Sequence, residues 1–414
     1  MKKNSVSPEL KRGRNRLAAL VSIGHGIKHI YNSGLQSILL PEIKIGLGLT
    51  ATQLGSLAAA RQLTGWFTTM GAGYLGDRFA HRSSLMLGIS LSLMGVSFFL
   101  AGYAANYWFM FAAMLVIGLG PSLYHPPAIG ALSRRFPDKR GFAISLHGTG
   151  GSAGEILGPL VAAGALILLS WQGVLKLSLW PALLAAFAIW SIMRNVPGDV
   201  PGTKSTRTYF ASLISLFRKR ALFGVVVTAA MRSMGQSATV TFLPIYLRED
   251  LEFSAARVAI YLSLAQVVGL GIQPLFGHWS DRFGRKAVLV PALTAQAVLF
   301  IGIYYADPGV QLILVILALG AVLYSLHTIF IAAAMDIAEG EVQSTVVSLI
   351  YGAAFLGTFS PLLAGIIVDQ TGNTSNAFIY GGVVMALTVI LLACLRLPKT
   401  ATQLEAAGVV GPDK

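Results

Sequence analysis

Charge and cysteine are scarce in this sequence. Of its 414 residues only 12% are charged, with 17 acidic residues against 31 lysines and arginines, whereas soluble domains carry about 25% charged residues. A water-soluble chain of this length would need far more polar surface to cover its core, so a soluble globular fold is excluded. The single cysteine, Cys394, excludes an internal disulfide.

Two further absences concern chemistry. The sequence has no Gly-x4-Gly-Lys-Ser/Thr loop for nucleotide phosphates, and we find no set of catalytic residues at a recognised spacing. We therefore expect neither an enzyme nor a cofactor, and any energy for transport must come from an ion or substrate gradient. No histidine spacing with cysteine or carboxylate support indicates a dedicated metal site, so metal-ion export is a remote alternative.

Long apolar stretches are what the sequence has in abundance. Hydrophobic residues make up 55% of the chain and the mean hydropathy is +0.68. Many stretches reach the roughly 20 apolar residues that a bilayer-spanning helix requires. The pattern predicts an all-α membrane protein with twelve transmembrane helices, at residues 17–41, 52–76, 84–104, 107–131, 141–170, 174–194, 221–247, 255–279, 287–305, 310–335, 342–368 and 375–396.

The basic residues predict the orientation of these helices. With both termini in the cytoplasm, 24 of the 31 lysines and arginines fall in cytoplasmic segments, as the positive-inside rule requires. The net charge of +14 therefore reflects membrane topology, and we expect no nucleic-acid partner. The first apolar stretch is too long for a signal sequence and lacks a cleavage site, so we expect it to be retained. We predict a multi-pass protein of the cell (inner) membrane that works as a monomer.

The two halves of the sequence are similar to each other. The segment Gly73 to Phe79 recurs as Gly277 to Phe283, 204 residues later, and both contain Asp-Arg-Phe. We predict two six-helix bundles, residues 1–194 and 221–414, joined by a cytoplasmic linker at 195–220. Such repeats build transporters whose substrate site lies near the membrane midplane. A ladder spaced by four also recurs after 203 residues, as Gly150, Gly154, Gly158 and Ala162 and then as Ala353, Gly357, Pro361 and Gly365.

With these features the chain resembles the major facilitator superfamily. The segment Gly73 to Arg82 looks like the cytoplasmic signature of that family, and Gly277 to Lys286 looks like a second copy. Gly158-Pro159 is similar to the family's glycine–proline motif in the fifth span. The resemblance implies two bundles that alternate the access of a central site, with the first and fourth spans lining the cavity.

A more detailed resemblance is to the fosmidomycin-resistance group of exporters. Gly118 to Pro126, which reads Gly-Leu-Gly-Pro-Ser-Leu-Tyr-His-Pro, is similar to the aromatic-His-Pro pattern of that group. Two positions depart from the pattern. Pro127 stands where that group has a glutamate, and His29 stands where it has a carboxylate. Both changes remove an acid that could carry a proton, so the drug and the coupling residue of that group do not carry over to this chain.

The first span carries a polar stripe that we predict to face the substrate or water. At 100° per residue its members share about one third of the helix circumference, and polar groups in a span are expensive unless they face a cavity or a partner. Besides His25, the stripe contains the predicted substrate-binding residues Lys28, His29, Asn32 and Gln36.

Buried basic residues predict an anionic substrate. Arg232 stands 204 residues after Lys28, at the corresponding position of the second half, and Gln236 lies one helical turn after Arg232. Guanidinium groups bind carboxylate, phosphate or phosphonate oxygens through paired hydrogen bonds. Arg61 lies near the middle of the second span, where a lone arginine is improbable, and we expect its partner to be Glu155 or the substrate. Tyr124, His125, Tyr324 and His327 complete the predicted substrate site.

Proton coupling is assigned to Glu155, His29 and His125. Glu155 is the one carboxylate that we place deep inside a span, and histidine titrates near neutral pH. A carboxyl group beside a cation can exchange a proton as its contacts change. A permanent ion pair or a packing role remains the alternative for each of the three residues.

Two pairs at the cytoplasmic membrane edge, Asp77–Arg78 and Asp281–Arg282, are predicted to act as conformational latches, because a carboxylate there can meet a helix N-terminus or an arginine.

Together these features predict a secondary transporter, with proton-coupled export (antiport) of a small organic anion or drug first. Proton-coupled uptake or exchange of an organic anion is the alternative. A non-transporting membrane protein is as remote as metal export.

Overall fold

The structure is a computed structural model that describes residues 13–136, 138–194, 219–338 and 350–398. Within its helices, the side chains of residues 70, 73–78, 80, 140 and 141 are not described. The described residues form helices and turns, and none of them is in a β-strand. The predicted all-α class is confirmed.

Twelve helical segments follow one another along the described chain, six in each half, and several of them are interrupted. In the first half the helices are α1 (Arg14–Gly34), α2 (Leu40–Leu47), α3 (Ala51–Arg78), α4 (Ser83–Ala101), α5 (Tyr107–Ile117), α6 (Leu119–Ser122), α7 (His125–Arg135), α8 (Arg140–Leu166), α9 (Trp171–Leu177) and α10 (Leu179–Met193).

The second half repeats this arrangement. Its helices are α11 (Arg220–Ile245), α12 (Ala255–Phe283), α13 (Arg285–Tyr305), α14 (Val310–Leu323), α15 (His327–Ala338), α16 (Ser360–Thr371) and α17 (Asn376–Cys394). A π-helical turn follows α1 at Leu35–Leu39 and another follows α11 at Tyr246–Asp250, and a 3₁₀ turn, Leu356–Phe359, precedes α16.

Eight of these segments are long and apolar enough to cross a membrane by length and composition alone. The other four segments of the described chain do not meet this criterion. They are residues 14–47, 51–78, 140–166 and 220–250, and they contain, in that order, Lys28, Arg61, Glu155 and Arg232. The eight are Ser83–Ala101, Tyr107–Arg135, Trp171–Met193, Ala255–Phe283, Arg285–Tyr305, Val310–Ala338, Ile350–Thr371 and Asn376–Cys394. These four candidate site residues therefore lie in the less apolar helices, where neighbouring helices can shield them from lipid.

The sequence predicts the fourth span as a single helix, residues 107–131, but the structure shows an interrupted one. The structure divides it into α5, α6 and α7, which separate near Gly118 and at Leu123–Tyr124. Pro121, Pro126 and Pro127 lack an N–H group and crowd the preceding turn, which interrupts the hydrogen-bond ladder. The break places Tyr124 and His125 at the start of α7. The tenth span is divided similarly, between α14 and α15.

The chain divides into two compact units. Unit 1 comprises residues 1–49 and 57–203, and unit 2 comprises residues 50–56 and 204–414. The start of α3 thus belongs with the second unit. The predicted linker 195–220 lies outside the described residues, apart from residues 219 and 220. The domain boundaries remain a prediction.

Close helix packing dominates the centre of unit 1. Helix α1 makes its most extensive contacts with α8. A Cβ atom added to Gly154 would clash with the carbonyl of Gly26 and lie 2.8 Å from Cβ of His29. An added Cβ on Gly158 would lie 2.7 Å from the carbonyl of Ile30. The glycine ladder therefore lets the two backbones approach each other, as small residues do between membrane helices.

Unit 2 repeats this contact. A Cβ atom added to Gly357 would clash with the Ser233 hydroxyl group and lie 2.9 Å from the Ser233 carbonyl oxygen on α11. Gly357 follows Gly154 by 203 residues, and Ser233 follows His29 by 204. The repeat found in the sequence is thus a repeat of side-chain contacts, and the packing surface of the first helix in each unit is the same.

Candidate functional site

The polar stripe of α1 faces α7 and α8 inside unit 1. His25, Lys28 and His29 lie three and four residues apart, so a helix presents them on one side. Lys28 is 4% exposed and His25 is equally buried. Around them stand His125 at the start of α7 and the α8 residues His147 and Glu155. We call the six residues the histidine cluster: His25, Lys28, His29, His125, His147 and Glu155.

Lys28 is bonded to a histidine. Its Nζ atom lies 2.6 Å from Nε2 of His125. An ammonium group can donate but cannot accept, so Nε2 of His125 accepts and its ring proton is on Nδ1. Lys28 is also attracted electrostatically by Glu155, but among the described residues it forms no ion pair within 4 Å. A buried ammonium group therefore has a neutral ring as its direct partner.

Glu155 is paired with His29 and not with Arg61, although Glu155 was one of the two alternatives expected for that arginine. Oε1 of Glu155 lies 3.0 Å from Nδ1 of His29. The Glu155 side chain is 41% exposed, while that of His29 is 18% exposed. Glycine at 154 and 158 brings α8 against α1, so residue 155 stands beside the helix contact. Glu155 is thus the accessible end of the cluster.

His25 connects the other members. Its Nδ1 atom lies 2.7 Å from the carbonyl oxygen of His147, and its Nε2 atom lies 3.0 Å from Nε2 of His29. A carbonyl oxygen accepts only, so Nδ1 of His25 carries the proton and the neutral ring offers a lone pair at Nε2. His29 must then donate from Nε2. Nε2 of His25 also lies 3.4 Å from Nε2 of His125.

Three histidines of the cluster also satisfy the spacing of a metal site. One ring nitrogen from each of His25, His125 and His147 lies within 4.8 Å of the others. The argument from linear spacing did not foresee this, because the three residues come from three helices. Lys28 already donates to the lone pair of His125 that a metal ion would need. The ammonium group and a metal ion would therefore compete for the same nitrogen.

Arg61 has a neutral partner within unit 1. Its Nη2 atom donates to Oε1 of Gln36 at 2.7 Å. Its Nε–H group is buried and has no hydrogen-bond partner among the described residues. Oδ1 of Asn32, one turn before Gln36, is also buried without a partner in that part of the chain. Unpaired buried polar atoms are costly, so both residues can accept a polar ligand without losing an existing bond.

Tyr124 has a different environment from the one predicted. Its ring is fully buried, and its hydroxyl group donates to the carbonyl oxygen of Val21 at 3.0 Å. The phenol group thus joins α7 to α1 and packs against His25 and His147. These contacts favour a packing role over substrate contact.

In unit 2 the buried cation is Arg232 on α11. It is 5% exposed, and its Nη2 atom donates to the carbonyl oxygen of Leu323 at 2.8 Å. Its guanidinium carbon lies 5.9 Å from the ring centre of Phe330. The Nε–H group of Arg232 is buried and unpartnered within the described residues. The carbonyl belongs to the C-terminal turn of α14, where the negative end of the helix dipole favours a cation.

Three other predicted residues also lie in unit 2. His327 begins α15, and its Nε2 atom is buried without a partner in the described part. The ring of His327 lies 4.9 Å from that of Tyr351, a residue that the sequence did not single out. Gln236 and Tyr324 are half-buried, one on α11 and one in the break after α14.

The predicted latch at Asp281 is part of a small ionic network. Asp281 and Arg285 form a close ion pair, and Arg285 also donates to Asp336 at 2.8 Å. Arg282, the other predicted latch residue, is exposed, and its guanidinium carbon lies 5.4 Å from the ring centre of Phe283. Arg285 therefore connects the end of α12 to α15. In the first half the side chains of the predicted latch residues Asp77 and Arg78 lie outside the described residues.

His25 and His147 were the residues that sequence reasoning left without a role. His25 was visible on the polar stripe. His147 lies on the face of α8 that continues the glycine ladder, one turn before Gly150 and Gly151, and an added Cβ at Gly151 would clash with the His25 ring. Helical spacing along the ladder could therefore have placed His147 against α1.

Comparison with known proteins assigns a family. A family model described as Major Facilitator Superfamily matches residues 29–357 and 225–410. The chain is 24% identical over 353 residues to the fosmidomycin resistance protein of Escherichia coli K12, covering 83% of this chain and 85% of that protein. It is 22% identical over 415 residues to the probable L-galactonate transporter of the same organism, covering 92% and 88%.

The fold also matches solved structures. Against the crystal structure of the nucleoside transporter NupG, the TM-score is 0.74 with 13% identity, covering 92% of this chain and 98% of that one. At that identity the likeness concerns the fold alone.

Proposed function

Because the chain belongs to the Major Facilitator Superfamily, we propose that this multi-pass membrane protein carries a small organic anion across the membrane by alternating access, coupled to protons. The proposal includes a cell inner-membrane location, cytoplasmic termini and a monomeric carrier. Of the named relatives, one is a probable L-galactonate transporter and one is a fosmidomycin resistance protein. They support a small organic substrate.

The observation that carries the anion assignment is that the buried cations have neutral partners. Lys28 donates to a histidine, Arg61 to an amide and Arg232 to a backbone carbonyl. None of the three forms an ion pair within the described part of the chain. Uncompensated charge in a membrane interior is expensive and marks functional sites. An anionic substrate would supply the missing charge. Within the described residues, each unit by itself has a buried arginine with an unpartnered Nε–H group, Arg61 in unit 1 and Arg232 in unit 2.

The proton assignment is supported by the bond between His29 and Glu155. Histidine titrates near neutral pH, and gain or loss of a proton by either partner changes the net charge of the His29–Glu155 pair by one. Glu155 is accessible enough to exchange protons, whereas His29 and His125 lead inward. We therefore keep Glu155, His29 and His125 as the coupling residues of the proposal.

Two directions of coupling remain distinct candidates. Export by antiport is suggested by the likeness to the fosmidomycin resistance protein. Uptake by symport is favoured by the bond between Lys28 and His125, since an added proton beside Lys28 increases the positive charge that attracts an anion.

The experiment is electrical. The purified protein is reconstituted in liposomes, and transient currents are recorded under an imposed pH gradient for L-galactonate, fosmidomycin and a cationic dye. We expect currents for one or both anions and none for the dye. The direction of the pH gradient that increases the current separates antiport from symport. Currents for the dye alone would refute the anion assignment and leave the family assignment unaffected.

A further inference from the structure

The histidine cluster holds a chain of hydrogen bonds that extends beyond the coupling residues named above. From the accessible end it runs from Glu155 to His29 at 3.0 Å and from His29 to His25 at 3.0 Å, where the carbonyl of His147 holds Nδ1 of His25 at 2.7 Å. Each step is within hydrogen-bond distance. The chain enters from α8 and continues along α1.

The bonds determine how many protons the chain holds. Because His29 must donate from Nε2 to His25, the contact between Nδ1 of His29 and Glu155 needs one further proton. That proton is either on His29, which makes an ion pair with the carboxylate, or on Glu155, which makes a neutral pair. In both cases the His29–Glu155 pair is loaded with one proton. Without it, His29 has a single N–H group and must give up one of its two bonds.

A second acceptor of this hydrogen-bond chain, Nε2 of His125, is occupied by Lys28. Nε2 of His25 and Nε2 of His125 face each other at 3.4 Å, and both are lone pairs while Lys28 donates to His125. Two acceptors cannot bond without a proton between them. If Lys28 moves away from His125, the two rings can share one proton. The ammonium group of Lys28 therefore controls whether the chain ends at His25 or continues to His125.

We infer that Lys28 and His125 form a junction between the anion site and a proton relay, through which binding of an anion to Lys28 lets a proton pass from Glu155 and His29 by way of His25 to His125. The inference rests on the proposed anion-transport function. It adds His25 as the connecting residue and gives the coupling a sign.

The proton steps balance. An anion draws the Lys28 ammonium away and frees Nε2 of His125. The Nε2 proton of cationic His29 moves to Nε2 of His25, which becomes the imidazolium and shares that proton with His125. His29 remains neutral with its Nδ1–H on the Glu155 carboxylate. Glu155, 41% exposed, can then accept a new proton. One proton is gained for each anion bound.

The surroundings of the junction contain few other charges. The titratable groups that act on His125 are Lys28, His25, His29 and His147. On Lys28 the charged neighbour is Glu155. From the elements packed against α1, the cluster therefore receives one acid, from α8, and no further cation among the described residues. Within unit 1, proton uptake that follows anion binding to Lys28 should come from this cluster.

The sign follows from linkage. If anion binding takes up a proton, lower pH must strengthen anion binding by the same coupling free energy. Anion and proton then occupy the carrier together, which is the behaviour of a symporter. The geometry thus favours the second of the two directions above.

The test is calorimetric titration of the detergent-solubilised full chain with L-galactonate near neutral pH, in buffers of different ionisation enthalpy. The slope against buffer enthalpy gives the protons taken up per bound anion. A carboxylate is fully ionised at that pH, so the probe itself takes up no proton. We expect an uptake approaching one proton per anion for the unmodified protein, with or without EDTA.

Variants locate the relay. His25→Gln, which leaves Lys28 untouched, should bind L-galactonate within about threefold of the unmodified protein with uptake reduced to near zero, and His125→Gln should lose the same uptake. His278→Gln replaces an exposed histidine of α12 outside the cluster and should keep the uptake. Melting temperatures of all variants establish that they are folded.

The outcomes are distinguishable. Binding with undiminished uptake in His25→Gln would overturn the relay and leave the anion site unaffected. Uptake that disappears with EDTA would show that the histidines hold a metal ion, which would also overturn it. Absence of binding by the unmodified protein to both L-galactonate and fosmidomycin would contradict the proposed function itself. If His125→Gln fails to bind, His125 is an anion ligand and the junction is wrong.

Discussion

The two units share a packing surface but differ in what they place on it. In unit 1 the first helix carries His25, Lys28 and His29 against α8. The corresponding residues of α11, 204 positions later, are Ala229, Arg232 and Ser233. The cation is kept, and both histidines are replaced by small residues.

The acid of unit 1, Glu155, is also replaced by an uncharged residue in unit 2. Glu155, bonded to His29, corresponds after 203 residues to Thr358, which is buried beside the Gly357 contact with Ser233. Unit 2 therefore repeats the geometry without the titratable groups, and its His327 comes from α15 instead. Each unit thus contains a buried cation on its first helix, and among the described residues the hydrogen-bonded histidines and their acid lie in unit 1.

The largest expected effect is the loss of proton-driven accumulation in Glu155→Gln. This change removes the carboxyl group, and the corresponding Thr358 of unit 2 also has no carboxyl group. The amide still accepts a bond from His29 but cannot exchange a proton. We expect accumulation of L-galactonate driven by a pH gradient to fall to background, while exchange across the membrane without a gradient continues. Asp307→Asn, at an exposed acid of unit 2, is the matched control. Gradient-driven accumulation that survives in Glu155→Gln would remove Glu155 from the coupling.

The next effect concerns the cation that the units share. Arg232→Ala should raise the Kd for L-galactonate by roughly 10- to 100-fold, since hydrogen bonds to charged groups contribute about 1.5–3 kcal/mol. Proton uptake per bound anion should stay unchanged, because the chain lies in unit 1. Arg257→Ala, an exposed arginine stacked on Phe253, serves as the control in binding titrations. An unaltered Kd would show that Arg232 has a purely structural role.

The shared packing surface is tested by adding one methyl group in each unit. Gly154→Ala and Gly357→Ala should each destabilise the protein by about 1–3 kcal/mol, the usual cost of overpacking. Gly148→Ala and Gly352→Ala are the controls, because an added Cβ there meets nothing within 4 Å. Thermal unfolding in detergent measures the difference. Equal melting temperatures for Gly154→Ala and Gly148→Ala would contradict the close approach of α1 and α8.

The smallest effect is expected at Tyr124. Tyr124→Phe removes the hydroxyl group that donates to Val21 and should cost about 1 kcal/mol of stability. The Kd for L-galactonate should stay within about twofold, since the ring is fully buried. Binding and melting measurements on the same preparation separate the two. A large loss of affinity at unchanged stability would restore Tyr124 to the substrate site.

Much of the fold could be predicted from the sequence because its signals are local. Apolar stretches of span length, the positions of basic residues and the internal repeat each depend on residues close in the chain, and the lipid environment makes helices the favoured way to satisfy the backbone. The breaks near Pro121 and Leu326 were missed. A proline shows where a helix can be interrupted, but the packing of its neighbours decides whether it is.

The site was predicted in its residue types but not in its pairings. Lys28, His29, His125 and Glu155 were each singled out, but the sequence did not predict that they form one cluster. For Arg61 the structure shows Gln36 as the partner in place of Glu155, one of the two partners expected. Glu155 is bonded to His29 because the close contact of α8 with α1 at Gly154 and Gly158 places residue 155 beside His29. His147 joins through its backbone carbonyl, which no pattern of side chains can indicate.

The sequence by itself determined an all-α membrane chain of two related halves, with cations on the first helix of each half. These properties follow from hydrophobicity, spacing and repetition, which are additive along the chain. The tertiary structure decided which nitrogen meets which acceptor, because a hydrogen bond depends on tenths of an ångström between atoms more than a hundred residues apart. It placed the ammonium group of Lys28 on His125 and the carboxylate of Glu155 on His29.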